Sequence, residues 1–135
     1  MKDLMKTNIY DCSDEIIVVG SCLKSVQPES FKELESMNLP MFDLCLEQTH
    51  INMAITKIGG MIRTNKIQHI IFASVDKSPH CVQLHYIRNE LEKMMDLSKI
   101  KITNFVAVDN KLVEIDEKVI SLSKNLSEIA KIIKR

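Results

Sequence analysis

The regular alternation of short, apolar, β-branched runs with longer segments of helical period constrains the fold more than any other feature. The runs cover residues 15–20, 41–46, 67–75 and 102–108. Runs of this kind are typical of parallel strands buried on both faces. A fifth run, at 112–115, follows the turn-favouring pair Asp109-Asn110 and predicts an antiparallel edge strand. The order β-α-β-α-β-α-β-β-α predicts a three-layer α/β/α domain with a mostly parallel sheet.

The segments between the runs support this architecture. Pro28 suits the first turn of a helix, and helical periodicity also covers residues 49–62, 79–95 and 116–133. Within the second helix, Gly59-Gly60 predicts a helix end or a close approach to another element, with a functional hinge as the alternative. We therefore expect one α/β domain over residues 15–135. Residues 1–14 form a polar leader that could be a tail, a short helix or an edge strand.

Charge and hydropathy restrict the partners. Lys plus Arg number 18 and Asp plus Glu number 18, so the formal net charge is zero. A neutral chain has no overall field that attracts nucleic acid or an anionic membrane. The N-terminus lacks the apolar stretch of a signal peptide, and no apolar run approaches the length of a membrane span. We expect a cytoplasmic protein that binds neither nucleic acid nor membrane and keeps its four cysteines reduced.

The loops that follow the first three predicted strands should meet at one edge of the sheet. In parallel α/β sheets, ligands bind in the crevice beyond the carboxyl ends of the strands. Three of the four cysteines and two of the four histidines lie in these loops. They predict a small-molecule site lined by cysteine and histidine. The candidate ligand-binding residues are Ser21, Cys22, Thr49, His50, Asp76 and Ser78.

Cys81 is the leading candidate for a reactive group. Ser78 suits the N-cap of the following helix and Pro79 its first position, which places Cys81 in the first turn. Unpaired backbone N–H groups and the helix dipole would there stabilise a thiolate and lower its pKa. Lys77 and His80 could add positive charge or transfer protons, so the candidate catalytic residues are these two and Cys81. The alternative is that Cys81 packs as a small core residue.

A metal site built from Cys22, Cys45 and Cys81 is a second hypothesis. Three thiolates, with a histidine such as His50 or His80, would suit zinc, and thiolates would also suit an iron–sulfur cluster. No Cys-x-x-Cys pair is present, so each ligand must come from a different loop. For Cys45, which lies within or at the end of an apolar strand, a packing role is the simpler interpretation.

His85 lies four residues after Cys81 in the same predicted helix. It is a possible partner of the Cys81 thiol, but we expect it on the helix surface. The chain contains no G-x-G-x-x-G, P-loop or G-x-S-x-G motif, so those patterns support neither nucleotide binding nor a serine hydrolase.

Two functional hypotheses from different classes follow. The first is a thiol- or metal-dependent enzyme acting on a small molecule at the cysteine-lined edge of the sheet. The second is a non-catalytic domain for small-ligand binding or regulatory interaction, in which the cysteines are structural. Thiol reactivity distinguishes them, because packed thiols react only on unfolding.

The last predicted helix has more apolar surface than one sheet face can cover. Its apolar stripe consists of Val119, Leu122, Leu126, Ile129 and Ile133. Ile120, Ala130 and Ile132 widen it. Surplus apolar surface of this kind is typical of an interface, which predicts a possible homodimer.

Overall fold

A computed structural model describes residues 1–134. Its strands are β1 (Lys2–Asp3), β2 (Glu15–Gly20), β3 (Met41–Leu44), β4 (His69–Val75), β5 (Lys101–Val108) and β6 (Lys111–Glu114). Its α-helices are α1 (Leu23–Val26), α2 (Pro28–Glu35), α3 (Ile51–Thr64), α4 (Ile87–Glu92), α5 (Glu117–Ser123) and α6 (Leu126–Ile133). Two 3-10 segments, Leu4–Lys6 and Cys81–Tyr86, complete the regular structure.

The six strands form one sheet in the order β1-β3-β2-β4-β5-β6. Every neighbouring pair is parallel except β5 and β6, which are antiparallel. The two residues that connect β5 to β6, Asp109 and Asn110, have φ angles of 52° and 58°. Two successive residues with positive φ form the tight turn that joins antiparallel strands. The predicted three-layer α/β fold with an antiparallel edge strand is confirmed.

The central strands are buried on both faces, as their β-branched runs predicted. In β2, Ile16 and Val18 belong to one apolar cluster, while Ile17 and Val19 belong to the other. The first cluster packs under α3, α4 and the 3-10 segment Cys81–Tyr86. The second packs under α1 and α2. Alternate side chains of a strand point to opposite faces, so each strand contributes to both layers of core.

The polar leader joins the sheet. Lys2 and Asp3 pair in parallel with Phe42 and Asp43 of β3, and Leu4 is completely buried in the first apolar cluster. Of the three conformations that its sequence leaves open, the structure shows an edge strand followed by one 3-10 turn.

Helix α3 runs without interruption through Gly59 and Gly60. A Cβ atom on Gly59 would lie 3.2 Å from Cδ2 of Leu91 in α4, so the missing side chain lets these two helices approach closely. Of the two structural interpretations of Gly59-Gly60, the structure shows the close approach.

The last helix differs from its prediction as a single element. The structure has two helices, α5 and α6, which are interrupted at Lys124 and Asn125. The Asn125 side chain accepts a hydrogen bond from the backbone N–H of Glu128 and starts a new helix there. Asparagine favours such caps because its side chain competes with the helical backbone bonds. Among residues 1–134, none of the helices is long and apolar enough to cross a membrane.

Candidate functional site

The carboxyl ends of β2 and β4 flank the point where the strand order reverses. The chain leaves β2 toward β3 on one side and later returns to β4 on the other. A crevice opens at such a point because the two connections diverge. A cavity of about 240 Å³ lies here. Its lining consists of Ser21, Cys22, Leu44, Cys45, Leu46, Glu47, Ser78, His80, Cys81 and Leu84.

The structure therefore brings together part of the predicted set. Six of the predicted residues line this cavity: Ser21, Cys22, Cys45, Ser78, His80 and Cys81. The sequence analysis did not single out Glu47 or the three leucines. Glu47 lies in the loop after β3, three residues beyond Leu44, so its place in that loop was the available signal.

Four predicted residues are not part of the cavity lining. Thr49 and His50 precede α3, where Nδ1 of His50 accepts a hydrogen bond from the backbone N–H of Asn52 and caps the helix. Asp76 lines a different cavity. Lys77 is exposed, in the left-handed region with φ of 72°. A ligand-binding or catalytic role for these four stays a prediction.

Cys22 and Cys81 face each other across the crevice. Their Sγ atoms lie 4.0 Å apart. Cys22 is exposed and directly precedes α1, whereas Cys81 is buried at the start of its 3-10 segment. The Cys81 sulfur accepts a hydrogen bond of 3.5 Å from the backbone N–H of Val75. The two thiols thus form a close pair in which only one partner is open to solvent.

The expectation of a low pKa at Cys81 is wrong. The pKa of this thiol is raised to about 11, mainly by burial; the Val75 N–H opposes the rise in part, and the nearby Cys22 thiol adds to it. Burial disfavours the charged thiolate because it removes water. The structure also lacks the predicted α-helical first turn, since residues 81–86 form a 3-10 helix and the α-helix starts only at Ile87.

Ser78 was expected to cap a helix that starts at Pro79, but the 3-10 segment starts at Cys81, with His80 in the N-cap position and no side-chain cap. Oγ of Ser78 accepts a hydrogen bond of 3.2 Å from the backbone N–H of Cys81. The backbone N–H of Cys81, one of the groups that were expected to stabilise the thiolate, therefore donates to Ser78. The side-chain hydrogen bond of Ser78 is thus present, but the predicted N-cap position and the predicted effect on the thiol are wrong.

The three thiols line the same cavity without forming a metal-binding group. Among residues 1–134, no three side chains of His, Cys, Asp or Glu are grouped so that they could hold a metal ion. The hypothesis of zinc or an iron–sulfur cluster at Cys22, Cys45 and Cys81 gains no support from this geometry.

His85 was expected on a helix surface, and that expectation is wrong. Its side chain is buried, with 3% of its surface exposed. Nε2 lies 2.7 Å from Oγ of Ser74, and Nδ1 lies 2.9 Å from Oδ1 of Asn104. Nδ2 of Asn104 donates in turn to Oε1 of Glu117 at 2.8 Å. Burial lowers the pKa of His85 because the charged imidazolium would lose its hydration.

A larger open groove, of about 680 Å³, lies at the opposite edge of the sheet, where β3 begins. It contains Cys12 but none of the predicted site residues. Burial raises the pKa of the Cys12 thiol, and the neighbouring Asp11 raises it further. We place the candidate site at the smaller cavity because three thiols from three separate loops converge there.

Comparison with known proteins agrees with the architecture. A family model described as a Rossmann-like domain matches residues 12–134. No curated protein and no solved structure is significantly similar to the chain. The match covers nearly the whole sequence, and the observed sheet order has the reversal at which Rossmann-like domains form their crevice. The chain therefore belongs to the family of Rossmann-like domains.

Proposed function

We propose that this domain is a thiol-dependent redox protein in which Cys22 and Cys81 act as a dithiol toward small disulfides. One observation carries the proposal: Sγ of the exposed Cys22 lies 4.0 Å from Sγ of the buried Cys81. An exposed thiol can meet a substrate, and a buried thiol beside it can complete the exchange. The cavity of about 240 Å³ next to both sulfurs is smaller than a usual ligand pocket, so it would take only the part of the substrate that adjoins the reacting disulfide.

Two exchange steps account for the reaction. The Cys22 thiolate attacks one sulfur of the substrate disulfide, so that a mixed disulfide forms and one substrate thiolate leaves. Cys81 then loses its proton, and its sulfur attacks Sγ of Cys22. A Cys22–Cys81 disulfide forms, and the second substrate thiolate leaves. Two electrons pass from the protein thiols to the substrate, and their two protons end on the two released thiols.

The environment of Cys81 supports one direction of electron flow in this proposal. Burial holds the pKa of Cys81 at about 11. A dithiol is made oxidising when a low thiol pKa stabilises its reduced form as a thiolate, and the raised pKa of Cys81 removes that stabilisation. We therefore propose that the reduced protein donates electrons. His80 lines the cavity and is the base to which we assign the Cys81 proton during ring closure.

Redox titration with peptide mapping tests this function. Reduced protein is equilibrated with mixtures of glutathione and glutathione disulfide, quenched with acid and mapped without reduction. We expect a Cys22–Cys81 disulfide that disappears in Cys22→Ser and Cys81→Ser and persists in the matched control Cys12→Ser. A mixed disulfide that remains on Cys22 of the wild-type protein, without ring closure, would contradict the proposal.

The second candidate is a small-ligand-binding domain with structural cysteines. The tight packing of Cys81 against Gly20 favours a structural role for this cysteine: a Cβ atom on Gly20 would overlap the Cys81 sulfur. In that case Cys81→Ala would leave ligand binding intact and change only stability. Absence of the Cys22–Cys81 disulfide at every glutathione ratio would favour this candidate over the redox function.

We also propose that the protein forms a homodimer through α5 and α6. Helix α6 has no buried residue. Exposed apolar side chains continue from α5 along α6: Val119, Leu122, Leu126, Ile132 and Ile133. Contiguous exposed apolar surface of this kind is typical of a protein interface. Packing against a second copy would remove this apolar surface of α5 and α6 from water.

A further inference from the structure

The buried ring of His85 is hydrogen-bonded to side chains of two different strands, β4 and β5. Nδ1 lies 2.9 Å from Oδ1 of Asn104 in β5. An amide oxygen carries no hydrogen, and the amide nitrogen of Asn104 donates to Glu117, so Nδ1 of His85 must be the donor. In a neutral ring Nε2 is then an acceptor, and it receives the Ser74 hydroxyl of β4 at 2.7 Å. A neutral histidine thus satisfies both ring nitrogens.

The same stretch of β4 also contacts Cys81. Ser74 precedes Val75, whose backbone N–H donates to the Cys81 sulfur at 3.5 Å. His85 follows Cys81 by four residues in the 3-10 segment Cys81–Tyr86. Two adjacent residues of β4 are therefore hydrogen-bonded to the 3-10 segment: Ser74 to His85, and Val75 to Cys81.

The 3-10 segment depends on such external bonds. It has six residues, whereas 3-10 helices longer than three or four residues are uncommon because their hydrogen bonds have poor geometry. Ser74, His85 and Asn104 each have 3% or less of their surface exposed, so all three side chains are desolvated. Burying polar groups is unfavourable unless they bond to one another, and their bonds are directional. The network therefore imposes an orientation that apolar packing alone would not.

We infer that His85 is a positioning residue for the dithiol: it locks the 3-10 segment onto β4 and so holds Sγ of Cys81 opposite Sγ of Cys22. This inference rests on the proposed redox function, in which Cys81 must attack Cys22 from a defined place. His85 itself does not contact either sulfur in the hydrogen-bond network and transfers no proton in the exchange.

Two variants test the inference. Ser74→Ala removes one bond with little change of shape, and His85→Phe removes both and keeps a planar ring. The matched control is Ile58→Val, which disturbs the same apolar cluster from α3. After Cys22 of each reduced protein reacts with glutathione disulfide, the rate at which Cys81 releases glutathione is measured. We expect this rate to fall about tenfold in Ser74→Ala, as for the loss of one buried hydrogen bond, to fall further in His85→Phe, and to stay unchanged in the control.

A second readout does not need the redox reaction. In a Cys22→Ser background, Cys81 is labelled with a maleimide in folded protein, and its rate is compared with that after full unfolding. We expect faster labelling of folded Cys81 in Ser74→Ala and His85→Phe, but not in Ile58→Val. Unchanged protection of Cys81 in both test variants would overturn the inference. Absence of glutathione release in the wild-type protein would instead overturn the proposed redox function.

The pH dependence of Cys81 labelling provides a third test, because only a titrating His85 would make the protection of Cys81 depend on pH. An imidazolium donates from both nitrogens, so the Ser74 hydroxyl would have to turn and accept from Nε2, and the buried ring would carry a charge without hydration, which disfavours the closed arrangement. The charged groups that face this region are Asp76 from the loop after β4, Glu117 from α5 and Arg88 from α4. We expect the ratio of folded to unfolded Cys81 labelling to rise only as the pH falls below the lowered pKa of His85 in the folded protein. This pH dependence should be absent in His85→Phe, and its persistence there would count against the assignment.

Discussion

Gly20 leaves the space that the Cys81 side chain occupies. A Cβ atom built on Gly20 would lie well inside van der Waals contact of the Cys81 sulfur, with Cδ1 of Leu84 also 3.6 Å away. Gly20 ends β2, and Cys81 follows β4. Their contact joins the two sides of the crevice and holds the buried thiol beside the loop that carries Cys22. The missing side chain of Gly20 is thus a condition for the thiol pair.

Gly20→Ala should destabilise the protein through this overlap. We expect a loss of about 1–3 kcal/mol in the free energy of unfolding, the usual effect of overpacking a core. Urea denaturation measures it. The matched control is Gly60→Ala in α3, where the new Cβ would meet only Ile9 at an ordinary 3.5 Å. It should stabilise the protein by up to about 1 kcal/mol, because alanine is the better helix former.

Cys81→Ala should relieve the overlap created by Gly20→Ala. The double variant should therefore lose less free energy of unfolding than the sum of the two single losses. Strict additivity in this cycle would show that the Gly20–Cys81 contact is not the source of the destabilisation.

Cys22 should be alkylated much faster than Cys81 in the folded protein. Cys22 is exposed, whereas burial holds the pKa of Cys81 at about 11, so the thiolate fraction of Cys81 near neutral pH is very small. Iodoacetamide labelling followed by peptide mapping measures both rates. The difference should disappear in denaturant. Faster labelling of Cys81 than of Cys22 in the folded state would contradict this prediction and support the earlier hypothesis that Cys81 is the reactive thiol.

Stability should decrease with acid because of His85. Burial lowers its pKa in the folded state below the ordinary value of about 6.5. Between these two pKa values the unfolded chain binds the additional proton, so the free energy of unfolding rises with pH. The contribution is fully present above about pH 6.5 and decreases as the pH falls toward the lowered pKa.

Urea denaturation between about pH 7.5 and 5 isolates this contribution when the wild type is compared with His85→Phe. The variant should be less stable at the upper pH, and the gap should narrow on acidification. His80→Gln, which alters an exposed ring, serves as the control and should leave the wild-type slope unchanged. A constant gap across this range would contradict the assignment of a lowered pKa to His85.

Leu126→Lys and Ile133→Lys should convert a dimer to a monomer. Each side chain has 76% of its surface exposed, and a charge at either position would oppose its burial against a second copy. Sedimentation velocity at micromolar concentration measures the state of assembly. Ser127→Lys, on the same helix, is the control and should remain dimeric. A wild-type protein that is monomeric under these conditions would refute the proposed interface.

The linear pattern was sufficient to predict β2 to β6 and their mostly parallel arrangement, but not the strand order or the pairing of β1. The β-branched runs around Val18 and Ile71 are apolar at successive positions, which only a strand covered on both faces can bury. The turn at Asp109-Asn110 was predictable because these residue types tolerate positive φ. Parallel strands align their carboxyl ends, so the meeting of Cys22, Cys45 and Cys81 at one edge also followed from the sequence.

Tertiary structure decided the chemistry of those side chains. Whether Cys81 is acidic or inert depends on its desolvation, and the sequence shows neither the burial of its sulfur nor its contact with Gly20. The capping pattern at Ser78 predicted a helix start but not a 3-10 geometry. His85 reads as a surface residue because its partners, Ser74 and Asn104, lie 11 and 19 positions away in the chain. Local periodicity determines which elements form, whereas burial and hydrogen bonding between distant residues exist only once those elements pack.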